Sequence, residues 1–162
     1  MDYNREAAVN YAREWAFGRN PAYYDFEHIG GDCTSFASQA LYAGAGVMNF
    51  RPLYGWYYVS ADNRAPAWTG VEYFARFLTT NEGAGPYGSF RPLYEALPGD
   101  FIQLSFDGIA FQHTLVVLET GDFPRPDNIL IACHTFDSLD RAVDTYDYMD
   151  LRLIHIEGVR AQ

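Results

Sequence analysis

An α+β fold is the reading this chain supports, and three observations support it. Apolar residues recur at helical spacing through the first half of the chain. After Pro98-Gly99-Asp100 the period shortens to the alternation of strands. Asp107-Gly108 then marks a turn between two such segments, the signature of an antiparallel hairpin. Helices that precede strands, rather than alternate with them, predict N-terminal helices packed on a C-terminal antiparallel sheet. The 162 residues read as one domain, 1–162, and at 49% apolar and 17% aromatic they can fill a core without metal or disulfide support.

Each element has its own warrant. Residues 4–17 predict a helix, with Asn4 as N-cap, Ala8, Tyr11, Ala12, Trp15 and Ala16 on one face, and Gly18 as the stop. A loop over 18–31 carries Tyr23-Tyr24 and the pair Gly30-Gly31. The second helix spans 33–43, with Phe36, Ala37, Ala40 and Leu41 inward and Gly44 at its end. Residues 46–68 read as irregular, and 70–79 as a third helix opened by a capping box of Thr69 and Glu72. The glycine-rich stretch 80–92 reads as a surface loop. Strands are expected at 101–106, 111–119, 128–134 and 152–159.

Composition excludes several function classes. The net charge is −10 and all 11 basic residues are arginines. With no basic patch, neither a nucleic-acid backbone nor an anionic membrane is an expected partner. Without lysine there is no Schiff base and no P-loop. No apolar run of about 18 residues is present for membrane insertion, and the charged start Met1-Asp2-Tyr3-Asn4-Arg5-Glu6 does not read as an export signal. No Cys-x-x-Cys or comparable ligand spacing occurs, so neither a metal nor another cofactor is expected.

The chemistry-bearing residues form an ordered set. Cys33 stands at the expected first turn of a helix, after two glycines, where unpaired N–H groups and the helix dipole favour a thiolate. His113 lies on the strand Phe111-Gln112-His113-Thr114-Leu115 and is the expected general base. His134 ends the next strand and is expected to orient His113, with Asp137 as its rival for that role. Asp32 is read both as a binder of a substrate amine and as the N-cap of the second helix. Cys133, in an apolar strand, reads as a buried and inert thiol, and His155 as structural.

Asp32-Cys33-Thr34-Ser35-Phe36 resembles the nucleophile motif of NlpC/P60-type cysteine peptidases. Pro98-Gly99-Asp100-Phe101-Ile102, His113-Thr114-Leu115-Val116-Val117 and Ile131-Ala132-Cys133-His134 resemble their later strands in the same order. The related putative amidase domain family is a closer likeness, through Tyr3–Ala8, Trp15-Ala16, Gly31–Thr34, Gly55–Tyr58 and His134–Arg141. The resemblance implies a papain-like fold and amide hydrolysis through a thioester, with Cys33, His113 and His134 catalytic. It also implies peptide or peptidoglycan-fragment substrates and an extracellular or cell-envelope location. Tyr24 with Gly30-Gly31 echoes the Tyr-x-x-Gly-Gly element that precedes the nucleophile, which places Tyr24, with Asp32 and Asp137, among the oxyanion- or substrate-binding residues. Two other readings stay open. One is a catalytically silent peptide- or glycan-binding module built on the aromatic stretch 54–68. The other is an acyltransferase using the same Cys/His pair.

Overall fold

A computed structural model describes residues 1–162. The helical half contains α1 (Arg5–Trp15), α2 (Cys33–Ala45), the short α3 (Pro66–Thr69) and α4 (Val71–Thr80), with the small hairpin β1 (Tyr58–Ser60) and β2 (Asn63–Arg64) between α2 and α3. The sheet strands are β3 (Gly85–Arg91), β4 (Phe101–Ser105), β5 (His113–Glu119), β6 (Leu130–Cys133), β7 (Ser138–Ala142) and β8 (Asp150–Arg160). They form one six-stranded sheet in the order β3-β8-β4-β5-β6-β7, and every neighbouring pair is antiparallel. The protein is thus α+β, with helices preceding an antiparallel sheet.

Both faces of the sheet are covered. Phe101, Val116, Leu118, Ala132, Ile154 and Ile156 pack beneath the helices with Phe36, Leu41 and Phe74. Ile102, Leu104, Leu115, Val117, Ile131 and Leu153 form a second core on the opposite face, closed by Ala96 and Val143 and flanked by Tyr146 and Tyr148. Alternation along β5 therefore matters for function. Thr114 faces the helices, and its hydroxyl lies 2.9 Å from that of Thr34 in α2.

Helix α1 begins where Asn4 accepts a hydrogen bond from the Ala7 N–H, as expected of an N-cap. Its inward residues Ala8 and Ala12 are small, so α2 approaches closely. Gly44 lies inside α2 rather than ending it, because a Cβ there would meet Tyr3 Cε1 at 2.5 Å and the Asn4 carbonyl oxygen at 2.7 Å. The helix ends instead at Gly46, in the left-handed conformation, whose N–H bonds the Tyr42 carbonyl.

The other expectations that fail do so for local reasons. The stretch read as a loop over 80–92 contains β3, an edge strand whose Gly85, Pro86 and Gly88 disguise it; its pairing with β8 supplies what propensity does not. Strand β7 falls between the expected strands 128–134 and 152–159, where no strand is expected. The Thr69–Glu72 capping box does not form: Gly70 is the N-cap of α4, and the Thr69 hydroxyl accepts from Arg64 Nε. In the aromatic stretch, Trp56 and Trp68 are fully buried. Trp56 Nε1 donates to Ser38 Oγ, which donates to the Trp68 carbonyl. Those two tryptophans are core rather than a ligand-binding face, while Tyr54, Tyr57 and Tyr58 of the same stretch keep part of their surface exposed.

Pro98-Gly99-Asp100 ties the N-terminus to the sheet. Asp100 is fully buried and accepts from Arg5 Nη1 at 2.8 Å, from the Leu97 and Ile156 N–H groups at 2.9 Å, and lies 2.8 Å from His155 Nδ1. His155 is structural in this sense.

Gly44→Ala should cost about 1–3 kcal/mol, because the added methyl group meets backbone as well as a ring. Thermal unfolding should show it as a fall of several degrees, at roughly 2–4 °C per kcal/mol for a chain this size. An unchanged midpoint would mean that α1 and α2 can separate freely.

Candidate active site

The site is built at the start of α2. Gly30 and Gly31 both have positive φ, +87° and +96°, and turn the chain sharply into the helix. Asp32 occupies the N-cap position but makes no capping hydrogen bond. Its Oδ1 accepts from the Phe26 N–H at 2.9 Å, and its Oδ2 lies 2.5 Å from His134 Nδ1. The first helical hydrogen bond runs from the Phe36 N–H to the Asp32 carbonyl. The N–H groups of Cys33, Thr34 and Ser35 therefore precede the hydrogen-bond ladder, free of a side-chain cap.

Cys33 is 8% exposed and forms no disulfide. Burial pushes its thiol up. The Thr34 hydroxyl, 3.7 Å from the sulfur, and the neighbouring Thr114 and Thr34 backbones oppose that rise without overcoming it. The thiolate expected from the helix position is therefore not the resting form, because desolvation outweighs the helix terminus. The sulfur sits beside the Thr34 hydroxyl nonetheless, and that hydroxyl in turn meets the hydroxyl of Thr114, the residue after His113.

His113 is 6% exposed and no hydrogen bond joins it to another side chain. Its own burial, then the positive charge of Arg141, pushes its pKa down from 6.5 to about 4, so the imidazole is neutral at neutral pH. Its ring lies against Tyr146, with centroids 5.8 Å apart. A cavity of about 420 Å³ opens beside it, lined also by Phe106, Thr135, Phe136, Arg141 and Tyr146. Cys33 does not line this cavity; the imidazole does.

His134 is placed differently from the expectation. Its Nε2–H donates to the Trp15 carbonyl at 2.8 Å, and its Nδ1 is hydrogen-bonded to Asp32 Oδ2 at 2.5 Å. Its ring stacks on Phe36 at 4.0 Å. Both ring nitrogens are occupied, so His134 orients Asp32 and not His113. Asp137 does not reach His113 either: its carboxylate takes a forked pair of hydrogen bonds from Arg19, at 3.0 and 3.1 Å. Arg19 Nε also lies 3.2 Å from Asp25 and 3.8 Å from Asp32, so Asp137 belongs to the charge network behind the α2 start. Asp32, spent on His134 and Phe26, has no side-chain oxygen free for a substrate amine. Tyr24 lies on a separate groove with Tyr23 and Tyr58, away from the His113 cavity.

Cys133 is fully buried, bonded to the Tyr146 hydroxyl at 3.1 Å, and held by burial at a pKa of about 11. No three His, Cys, Asp or Glu side chains converge in a geometry that would hold a metal ion. No helix is long and apolar enough to cross a membrane.

A buried thiol thus stands at a helix start, and a neutral imidazole borders an open cavity on the strand packed against that helix. Residues 2–156 match the family described as putative amidase domain, and the chain belongs to that family. It is also similar to the uncharacterized protein YhbB of Bacillus subtilis (strain 168), with 31% identity over 142 residues. That match covers 85% of this chain and 43% of the relative, so the chain spans less than half the length of the curated protein it matches. No solved structure matches.

Asp32→Ala leaves the His134 ring and the Phe26 N–H without their partner. It should cost about 3–5 kcal/mol in urea unfolding, the range for breaking one side of a buried pair; a loss below about 1 kcal/mol would mean the pair is not formed in solution. For His113, the unfolded chain binds a proton between pH 6.5 and 4 that the folded protein refuses. Its contribution is complete above pH 6.5 and is lost as the pH falls toward 4, about 3 kcal/mol in all. Wild-type stability should therefore fall more steeply than that of His113→Asn across this window, and parallel curves would contradict the burial of a neutral imidazole.

Proposed function

We propose that the protein is a cysteine-dependent amide hydrolase in which Cys33 is the nucleophile and His113 the general base and acid. The observation that carries this reading is the hydroxyl contact of 2.9 Å between Thr34 and Thr114, which brings the residue after Cys33 against the residue after His113. Membership of the putative amidase domain family supports the reaction class. The mechanism requires the imidazole to come within hydrogen-bond reach of the sulfur in the substrate complex, where catalytic bonds commonly tighten.

In the first half-reaction the sulfur attacks the amide carbonyl while its proton passes to His113. The carbonyl oxygen becomes an oxyanion, and the Cys33 N–H, outside the helical ladder, donates to it. The tetrahedral intermediate collapses with cleavage of the C–N bond, and His113 returns the proton to the departing amine. Water, losing a proton to His113, then attacks the thioester carbonyl; the C–S bond breaks, an acid is released, and the thiol recovers its proton. Because the resting pair is neutral, proton transfer accompanies attack instead of preceding it.

His134 is a positioning residue in this scheme: it fixes Asp32, and Asp32 fixes the backbone that presents Cys33. We read the whole of 1–162 as one amidase unit of the papain-like, NlpC/P60-related kind. Peptides such as cell-wall peptides are the substrate class, and an extracellular or cell-envelope setting goes with them. These finer readings rest on the motif order in the sequence.

With a panel of N-acyl peptides, mass spectrometry of acid-quenched samples should show an acyl group on Cys33 during turnover. His113→Ala should slow amine release by about 10²–10⁴-fold, and Cys33→Ala should remove both the adduct and turnover. Turnover that survives Cys33→Ala would refute the mechanism.

A further inference from the structure

We propose that the His113 cavity recognises a carboxylate through Arg141, so that the substrate is an amide carrying a free acid group of the amino-acid or peptide type. This rests on the hydrolase reading above and names the substrate class of the same site.

Arg141 is half-buried and lines the cavity together with His113. None of the 21 acidic residues pairs with Arg141; Arg51, Arg64, Arg76 and Arg160 also lack a carboxylate partner, but of these five only Arg141 lines the His113 cavity. Its guanidinium is nonetheless fixed. Nε donates to Thr145 Oγ1 at 2.8 Å, Nη2 reaches the Thr145 carbonyl at 3.3 Å, and the group sits 3.7 Å over the Tyr146 ring. Nη1 makes no hydrogen bond within the protein. A planar cation held in place with unspent donors is the group best suited to a carboxylate.

The other polar groups around the cavity are committed. Gln112 accepts from the Phe106 N–H and donates to Asp107, Thr135 donates to Glu27, and the Tyr146 hydroxyl meets Cys133. His113 is reserved for the proton. Arg141 is what remains to recognise a ligand. Phe106 and Phe136 stand at the cavity with 41% and 86% of their surface exposed, apolar walls for the carbon part of such an acid. The overall charge of −10 would repel an anion at long range, so recognition has to be local. The cavity volume, about 420 Å³, falls in the range of small-molecule sites. A bound carboxylate would also offset the Arg141 charge that helps hold His113 down, and so return basicity to the base as substrate arrives.

The test is the rate at which iodoacetamide alkylates Cys33, read by peptide mapping, in the presence of N-acetyl-L-phenylalanine or its carboxamide. The acid should protect the wild type at a concentration at least tenfold lower than the carboxamide does. Arg141→Gln should erase that difference, and Arg141→Lys, which keeps the charge without the fork, should retain part of it. Circular dichroism identifies a variant that has lost its fold, and the wild-type comparison stands without either variant. Equal protection by acid and carboxamide, or protection by neither, would overturn the carboxylate assignment while leaving Cys33 as nucleophile. A Cys33 that iodoacetamide never labels in the unliganded protein would instead overturn the nucleophile, and this inference with it.

Discussion

The pairing of Asp32 with His134 is the interaction on which the site depends. It joins residues 102 positions apart and adjoins three elements at once. Asp32 leads into α2, His134 follows β6, and the other nitrogen of the ring holds the carbonyl of Trp15 at the end of α1. Both side chains are 1% exposed, so the pair is held away from competing water. The cost of burying it is offset by the Phe26 N–H, by Arg19 nearby and by the stack on Phe36. Its geometric consequence is that the first turn of α2 stands uncapped against β5, with the sulfur at its tip.

That division of labour explains why two histidines with similar sequence settings behave differently. His134 is locked at both nitrogens and can only hold. His113 is locked at neither and borders open space, so it can exchange protons. In the proposed mechanism Cys33 is kept as a thiol by its burial, and attack relies on a base that is neutral at rest. A site of this kind protects its sulfur from indiscriminate chemistry and reserves reactivity for a bound substrate.

Much of the fold could be read from the sequence because local signals coincided with burial. Asn4 and the alanine face of α1, Cys33 and the apolar stripe of α2, and the alternation in β4 and β5 all agree with the structure. What escaped was set by tertiary context. β3 carries two glycines and a proline and is a strand only because β8 lies beside it. Gly44 looked like a stop because nothing nearby in sequence announces that Tyr3 and Asn4 press against it. In the site, Cys33 and His113 were legible as residue types in a meaningful order, but partner assignments were not. Asp32, His134 and Asp137 all appeared as candidates to touch substrate or base, and each is bound elsewhere. Arg141 went unseen because Asp140 and Asp144 flank it in sequence and suggest a neutralised surface charge, while in the fold it pairs with neither.

The claim that one imidazole holds and the other works is open to direct observation by nitrogen-15 NMR of the histidine rings. The account predicts a His134 Nε2 proton that exchanges slowly with solvent and couples across its hydrogen bond to the Trp15 carbonyl carbon. It predicts a His113 ring that is neutral at neutral pH and gains its proton only near pH 4. A His134 Nε2 open to solvent, or a His113 already charged at neutral pH, would contradict it.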